Sequence, residues 1–157
     1  MTQTKVIGES VKQTNRTFVK SYVNDYANAI TENYRRYHLN TLNGNLHGNY
    51  PEYAKKQLAE IENGTANLMK FKVYTGKRYY KIVQQEFETW EKSRNYGKYA
   101  DGSVPCFVDK KTGQVFKPAS WQAPAKHVRY DLRIIKEREF LFNSNNTGWA
   151  GGYLYMR

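Results

Sequence analysis

Between Lys117 and Arg129 the chain sets an indole, Trp121, among four groups that carry or can gain positive charge: Lys117, Lys126, His127 and Arg129. Side chains of these types hold polyanions, because a base stacks on the ring and phosphates pair with the cations. Pro118 and Pro124 bracket the indole, fix φ at both ends and remove two backbone donors, so a defined loop is expected. The same chemistry recurs at Lys70, Lys72 and Tyr74, which strand alternation puts on one face, opposite Met69, Phe71 and Val73. Each group also has a plainer reading. Trp121 could cap a small core beside solvated cations, and the lysine strand could be an amphipathic strand with one wet face.

Hydrolysis of a polyanion would need acids and a base, for which Asp101, Asp109, Asp131 and His127 are the candidates. Asp109 is better explained as a turn former. No nucleophile, base and orienter fall together, and neither a P-loop nor a dinucleotide fingerprint is present, so binding is preferred to catalysis. His38, His47 and His127 lack any compact metal-ligand spacing and are expected on the surface or in loops; no metal or other cofactor is expected. Cys106 is the single cysteine, which excludes an internal disulfide, fits a reducing compartment and reads as a small buried strand residue.

The elements that must position these groups follow from local pattern. Residues 104–108 and 114–117 are strand-like, and Asp109 and Gly113 give the five residues between them hairpin chemistry. Residues 68–74 and 78–87 form a second strand pair about a Thr75-Gly76-Lys77 turn. On the second of these strands Tyr80, Ile82 and Gln84 alternate with Tyr79, Lys81 and Val83. Upstream, Phe18, Tyr22, Tyr26, Ala29, Ile30, Tyr34 and Tyr37 recur at three and four residues, which predicts a helix from Thr14 or Asn15 to about Arg36, its ladder packed on a sheet. Residues 38–49, rich in Asn and Gly, are expected to form a loop before a short second helix that starts at Pro51 and stops at Asn63-Gly64. Residues 127–135 and 139–142 alternate well enough to predict strands, and residues 153–156 a last strand after a Gly-rich loop with Trp149.

The expected fold class is therefore α+β: one domain over residues 1–157, with a flexible arm at 1–13, a helical part at 14–64 and a basic, β-rich part at 65–157. Two N-terminal helices would pack on a twisted antiparallel sheet, which could curl into a barrel-like form. With 39% apolar residues but 14 tyrosines, the core is expected to draw more on Tyr, Phe and Trp than on Leu and Ile. Residues 1–69 carry eight Lys or Arg against six Asp or Glu, a net of +2, and residues 70–157 carry seventeen against eight, a net of +9. That concentration favours a polyanionic partner, either nucleic acid or an acidic protein surface, on the β-rich part. No apolar run suits a membrane span and no signal peptide opens the chain, so a soluble protein without a membrane partner is expected.

The run VDKKTGQVFKPASWQAPAKHVR resembles a block found in small proteins encoded by marine tailed bacteriophages, cyanophages among them. The likeness covers about thirty residues, from Tyr99 to Arg129, and the ending from Gly148 to Arg157 is similar to a Gly- and Tyr-rich ending in the same proteins. Those relatives have a Gly after the final Arg of the block, whereas this chain has Tyr130. The resemblance implies a phage gene and the cytoplasm of an infected bacterial host as the working compartment; it carries over no catalytic residue. Three functions stay open: a nucleic-acid-binding accessory protein, a module that binds a host or virion protein, and a hydrolase acting on a polyanion. Salt-dependent affinity for plain oligonucleotides separates the first from the second.

Overall fold

Val19, Val23, Tyr26, Ala27 and Ile30 recur at helical spacing and are almost free of solvent contact, forming the buried stripe of α1 (Thr2–Leu46). In this computed structural model the residues described in full are 18–157; the arm expected over residues 1–13 and the expected caps Thr14 and Asn15 lie outside them. Helix α1 does not stop at Arg36. It runs through most of the segment expected as a loop, and only residues 47–49 turn. The reason is a continued face: the His38 ring stacks on Tyr34 at 5.8 Å and Leu42, one turn on, is 1% exposed. Burial there outweighs the weak helix propensity of the neighbouring Asn and Gly.

Helix α2 (Pro51–Glu62) begins and ends as its sequence predicts: Pro51 occupies the first turn, and past Gly64, at φ 75°, the amides of Thr65 and Ala66 return to the Glu60 carbonyl.

The sheet is antiparallel throughout, built from β1 (Lys70–Thr75), β2 (Tyr79–Phe87), β3 (Tyr99–Asp101), β4 (Cys106–Asp109), β5 (Gln114–Phe116) and β6 (Tyr130–Asp131). Its order is β1-β2-β4-β5-β6, with β3 paired to the far end of β2. It stays open and does not close into a barrel, since β6 is only two residues long and β1 and β6 remain as edges. One register row, Thr75, Tyr80, Val108, Val115 and Tyr130, and its neighbour, Val73, Ile82 and Cys106, belong to the face that packs with the α1 stripe.

The main core draws on aromatics and aliphatics together, with Tyr22, Tyr34, Phe142, Trp149 and Tyr153 packed against it from partly buried positions. Tyr26, Phe71, Tyr80 and Tyr130 are its buried aromatics, surrounded by a larger number of Val, Ile, Leu, Ala, Met and Cys side chains, and no Trp is buried in it. A buried phenol needs a partner for its hydroxyl, which limits how many tyrosines a core can take. Tyr26 meets that need by sharing a hydrogen bond with the Tyr153 hydroxyl.

Three further expectations are corrected near the C-terminus, where the strand expected over 127–135 is reduced to the two residues of β6. Residues 139–142 are helical, within α3 (Ile135–Phe142). The alternation at 128–134 was misleading because Val128 and Ile134 are 46% and 49% exposed, while Asp131 ends β6 by accepting the amides of Arg133 and Ile134. Residues 152–154 form a 3-10 turn and not a strand; Gly151 enters it at φ 82° and it drives Leu154 into full burial.

The β4–β5 turn is held by its own side-chain hydrogen bonds and a left-handed glycine. Asp109 Oδ1 accepts the amides of Lys111 at 2.8 Å and Thr112 at 3.0 Å, and Gly113 follows at φ 73°. A Cβ on Gly113 would sit 3.2 Å from Arg133 Cγ and 3.6 Å from Val19 Cγ2. Gly113→Ala is therefore expected to cost about 1–2 kcal/mol, from the left-handed backbone and the crowding together. A chemical denaturation midpoint equal to that of the unmodified protein would refute this.

Candidate functional site

The face of the sheet turned away from α1 carries the chemistry. Register aligns Tyr74, Lys81, Phe107 and Phe116 in one row across β1, β2, β4 and β5, with Lys72 opposite Val83 and Lys70 opposite Gln85 in the rows alongside. Val83, Val104 and Phe107 form a small buried cluster here, partly covered by Tyr74, Tyr79 and Phe116. Tyr79 stands edge-on to Phe107 at 6.0 Å and to Phe116 at 6.2 Å, so the rings brace one another as a platform.

The loop between the two prolines folds back on this face. Pro118 and Pro124 bridge, the Ala119 amide donates to the Ala123 carbonyl at 3.0 Å, and Trp121 Nε1 donates to the Gly102 carbonyl at 2.7 Å. Lys81 Nζ lies 3.9 Å from the centre of the indole, a cation–π contact that reaches from the sheet to the loop. Trp121 remains 43% exposed, so it is a surface ring held in place at its edge and not a plug in a core.

Cations border the other rings in the same manner: Lys70 Nζ lies 3.9 Å above Tyr99, Lys72 Nζ 5.4 Å from Tyr74, and the Arg78 guanidinium 5.2 Å from Tyr79. A carboxylate among them, Asp101, is committed. Its Oδ1 accepts from Gln85 Nε2 and from the Tyr74 hydroxyl, both at 2.7 Å, and these bonds hold its pKa below the usual carboxylate value. A carboxylate kept ionised by donors is a poor proton donor. Asp109 is occupied by its turn and lies 3.7 Å from Arg78, and Asp131 accepts the Arg133 amide, so all three candidate acids have structural work.

Two hollows adjoin the platform. One, of about 350 Å³, lies among Tyr74, Tyr79, Phe107 and Gln122 and reaches the β1–β2 turn; the other, of about 610 Å³, lies between that turn and the β4–β5 turn, beside Lys110 and Lys111. Lys77 and Arg78 line both, which makes them neighbours along one cationic rim.

The residues singled out by sequence thus divide. Lys70, Lys72 and Tyr74 share the open sheet face, and Trp121 is tied to it through Lys81. Lys117 and Arg129 serve the C-terminal segment instead: Lys117 Nζ lies 4.5 Å from the Tyr155 ring, and Arg129 donates to the Arg157 carbonyl. Lys126 and His127 are exposed in the approach to β6. Sequence reasoning left out Lys81, Arg78, Lys110 and Gln122. The alternation of Lys81 with Tyr79 was visible, but its partnership with Trp121 depends on a contact forty residues away in the chain.

Other reactive groups are quiet. Among the described residues no three His, Cys, Asp or Glu side chains gather as a metal site, and no helix is long and apolar enough to cross a membrane. Burial pushes the Cys106 thiol up to about 12, so almost none of it is thiolate near neutral pH. Cys106 is expected to resist a disulfide-exchange reagent in the native protein and to react with one equivalent in denaturant; rapid native labelling would contradict its buried place in β4.

Residues 6–156 match a family model described as Family of unknown function (DUF7717). No curated protein and no solved structure matches the chain.

Proposed function

We propose a function from the chain's own geometry, charge and sequence, because it belongs to a family of unknown function, DUF7717, that brings no activity with it. The reading is a non-catalytic, basic accessory protein that binds nucleic acid on the open face of its sheet. The setting suggested by the phage-like block at residues 108–129 is the cytoplasm of an infected bacterium.

One observation carries it: an indole fixed at its edge, 43% exposed, stands on a face where cations and rings interleave. Rings accept bases of any sequence and ammonium or guanidinium groups accept phosphates, so such a face suits sequence-tolerant binding. The net +9 of residues 70–157 adds long-range attraction. The commitment of Asp101, Asp109 and Asp131 to hydrogen bonds favours binding over hydrolysis.

The test is fluorescence anisotropy of labelled single-stranded DNA, RNA and duplex DNA titrated with the protein over a salt series. Affinity should fall linearly on a log–log plot as salt rises. Trp121→Ala should weaken binding roughly fivefold or more, as loss of one stacking ring does, while Trp90→Ala, also an exposed indole, should not. No binding even at low salt would sink the reading and leave the charge to an acidic protein partner.

A further inference from the structure

We infer that the hollow of about 350 Å³ beside the β1–β2 turn takes one unpaired base, which makes the protein selective for single strands; this rests on the nucleic-acid reading above. Three rings, Tyr74, Tyr79 and Phe107, line it, with Arg78 and Lys81 as cations and Gln122 entering from the proline-bracketed loop. Aromatic side chains take the face of a base, and a side-chain amide offers both a donor and an acceptor to its edge. The size is that of a small-ligand site and not of a groove that admits a helix of paired strands.

The neighbouring hollow gives the backbone somewhere to go. Lys77 and Arg78 line both hollows, and the larger one adds Lys110, Lys111 and Thr112 together with Asp109, whose Oδ1 is taken up by the turn amides of Lys111 and Thr112. The Arg78 side chain is 75% exposed despite its 3.7 Å approach to Asp109, and Lys110 is kept at the rim by donating to the Gly76 carbonyl at 3.1 Å. A strand whose base enters the first hollow can lay its next phosphates along this rim. A duplex cannot do so without unstacking and unpairing a base, which costs energy that the single strand does not spend.

The experiment is competition against a labelled single strand by three unlabelled DNAs of equal length: the same strand, that strand with its bases removed as abasic sites, and the duplex. The intact strand is expected to compete roughly tenfold better than the abasic one, as stacking losses of this kind predict, and better than the duplex. Gln122→Ala should narrow the spread of affinities among dA, dC and dT homopolymers. Equal competition by the abasic strand or by the duplex would overturn the base site while leaving phosphate binding intact. Failure of every DNA, the labelled strand included, would instead remove the reading on which this one stands.

Discussion

Arg78→Glu combined with Lys81→Glu is expected to lower affinity for a single-stranded oligonucleotide on the order of 100-fold at moderate salt, and to flatten the salt dependence. Arg78 lines both hollows, and Lys81 joins the Tyr74 row to Trp121, so the pair sits where ring platform and cationic rim meet. Reversal removes two favourable phosphate contacts and puts two repulsive ones in their place. Each phosphate contact adds about 0.7 to the log–log salt slope for single strands, so the slope should shrink by more than one. A variant at Lys126 and His127, exposed but away from these contacts, is the comparison: its affinity should change only by the weaker, screened share of the general field. If both variants lose affinity equally, attraction is by net charge and the sheet face has no special part in it.

The largest expected effect on stability belongs to Ile82→Ala. Ile82 is completely buried on the central strand β2, opposite Val73 of β1 and Cys106 of β4, and belongs to the cluster shared with the α1 stripe. Truncation there removes apolar contact and leaves a cavity that β-strands on both sides cannot easily close, at a cost of about 2–5 kcal/mol. For a chain of this size that corresponds to roughly 5–15 °C in thermal midpoint, a large share of the 5–15 kcal/mol typical of a whole domain. Ile135→Ala, at a site 62% exposed, should fall within about 0.5 kcal/mol. Similar midpoints for the two variants would mean that the sheet and α1 do not share the core described.

What could be read from sequence is what local chemistry decides. The β1–β2 and β4–β5 hairpins and helix α2 carry their own punctuation in Gly76, Asp109, Gly113, Pro51 and Gly64, and all three form as expected. Helix α1 overran its expected end because Leu42 is buried by tertiary packing, which no propensity at Asn40 or Asn43 reveals. Helix α3 was hidden because its short run of apolar residues satisfies strand and helix patterns alike, and only Leu141 is buried. Strand β3 is three residues long and exists through its pairing with β2, so nothing within 99–101 announces it.

The candidate site divides in the same way. Lys70, Lys72 and Tyr74 share a face by strand period alone, which is a local property. The meeting of Lys81 with Trp121, and the hollow to which Phe107 and Gln122 both contribute, depend on strand order and on the return of the proline-bracketed loop. Lys117 and Arg129, adjacent to that loop in sequence, turn instead to Tyr155 and Arg157, because the C-terminal segment passes their side of the sheet.

The most direct measurement is photocrosslinking of the intact protein to a single strand carrying a photoreactive pyrimidine, with the attached peptides located by mass spectrometry. The account predicts attachment at Tyr74, Tyr79 or Trp121, on the open sheet face. Attachment confined to the helices, or spread evenly over the exposed tyrosines such as Tyr50 and Tyr53 at the start of α2, would contradict it.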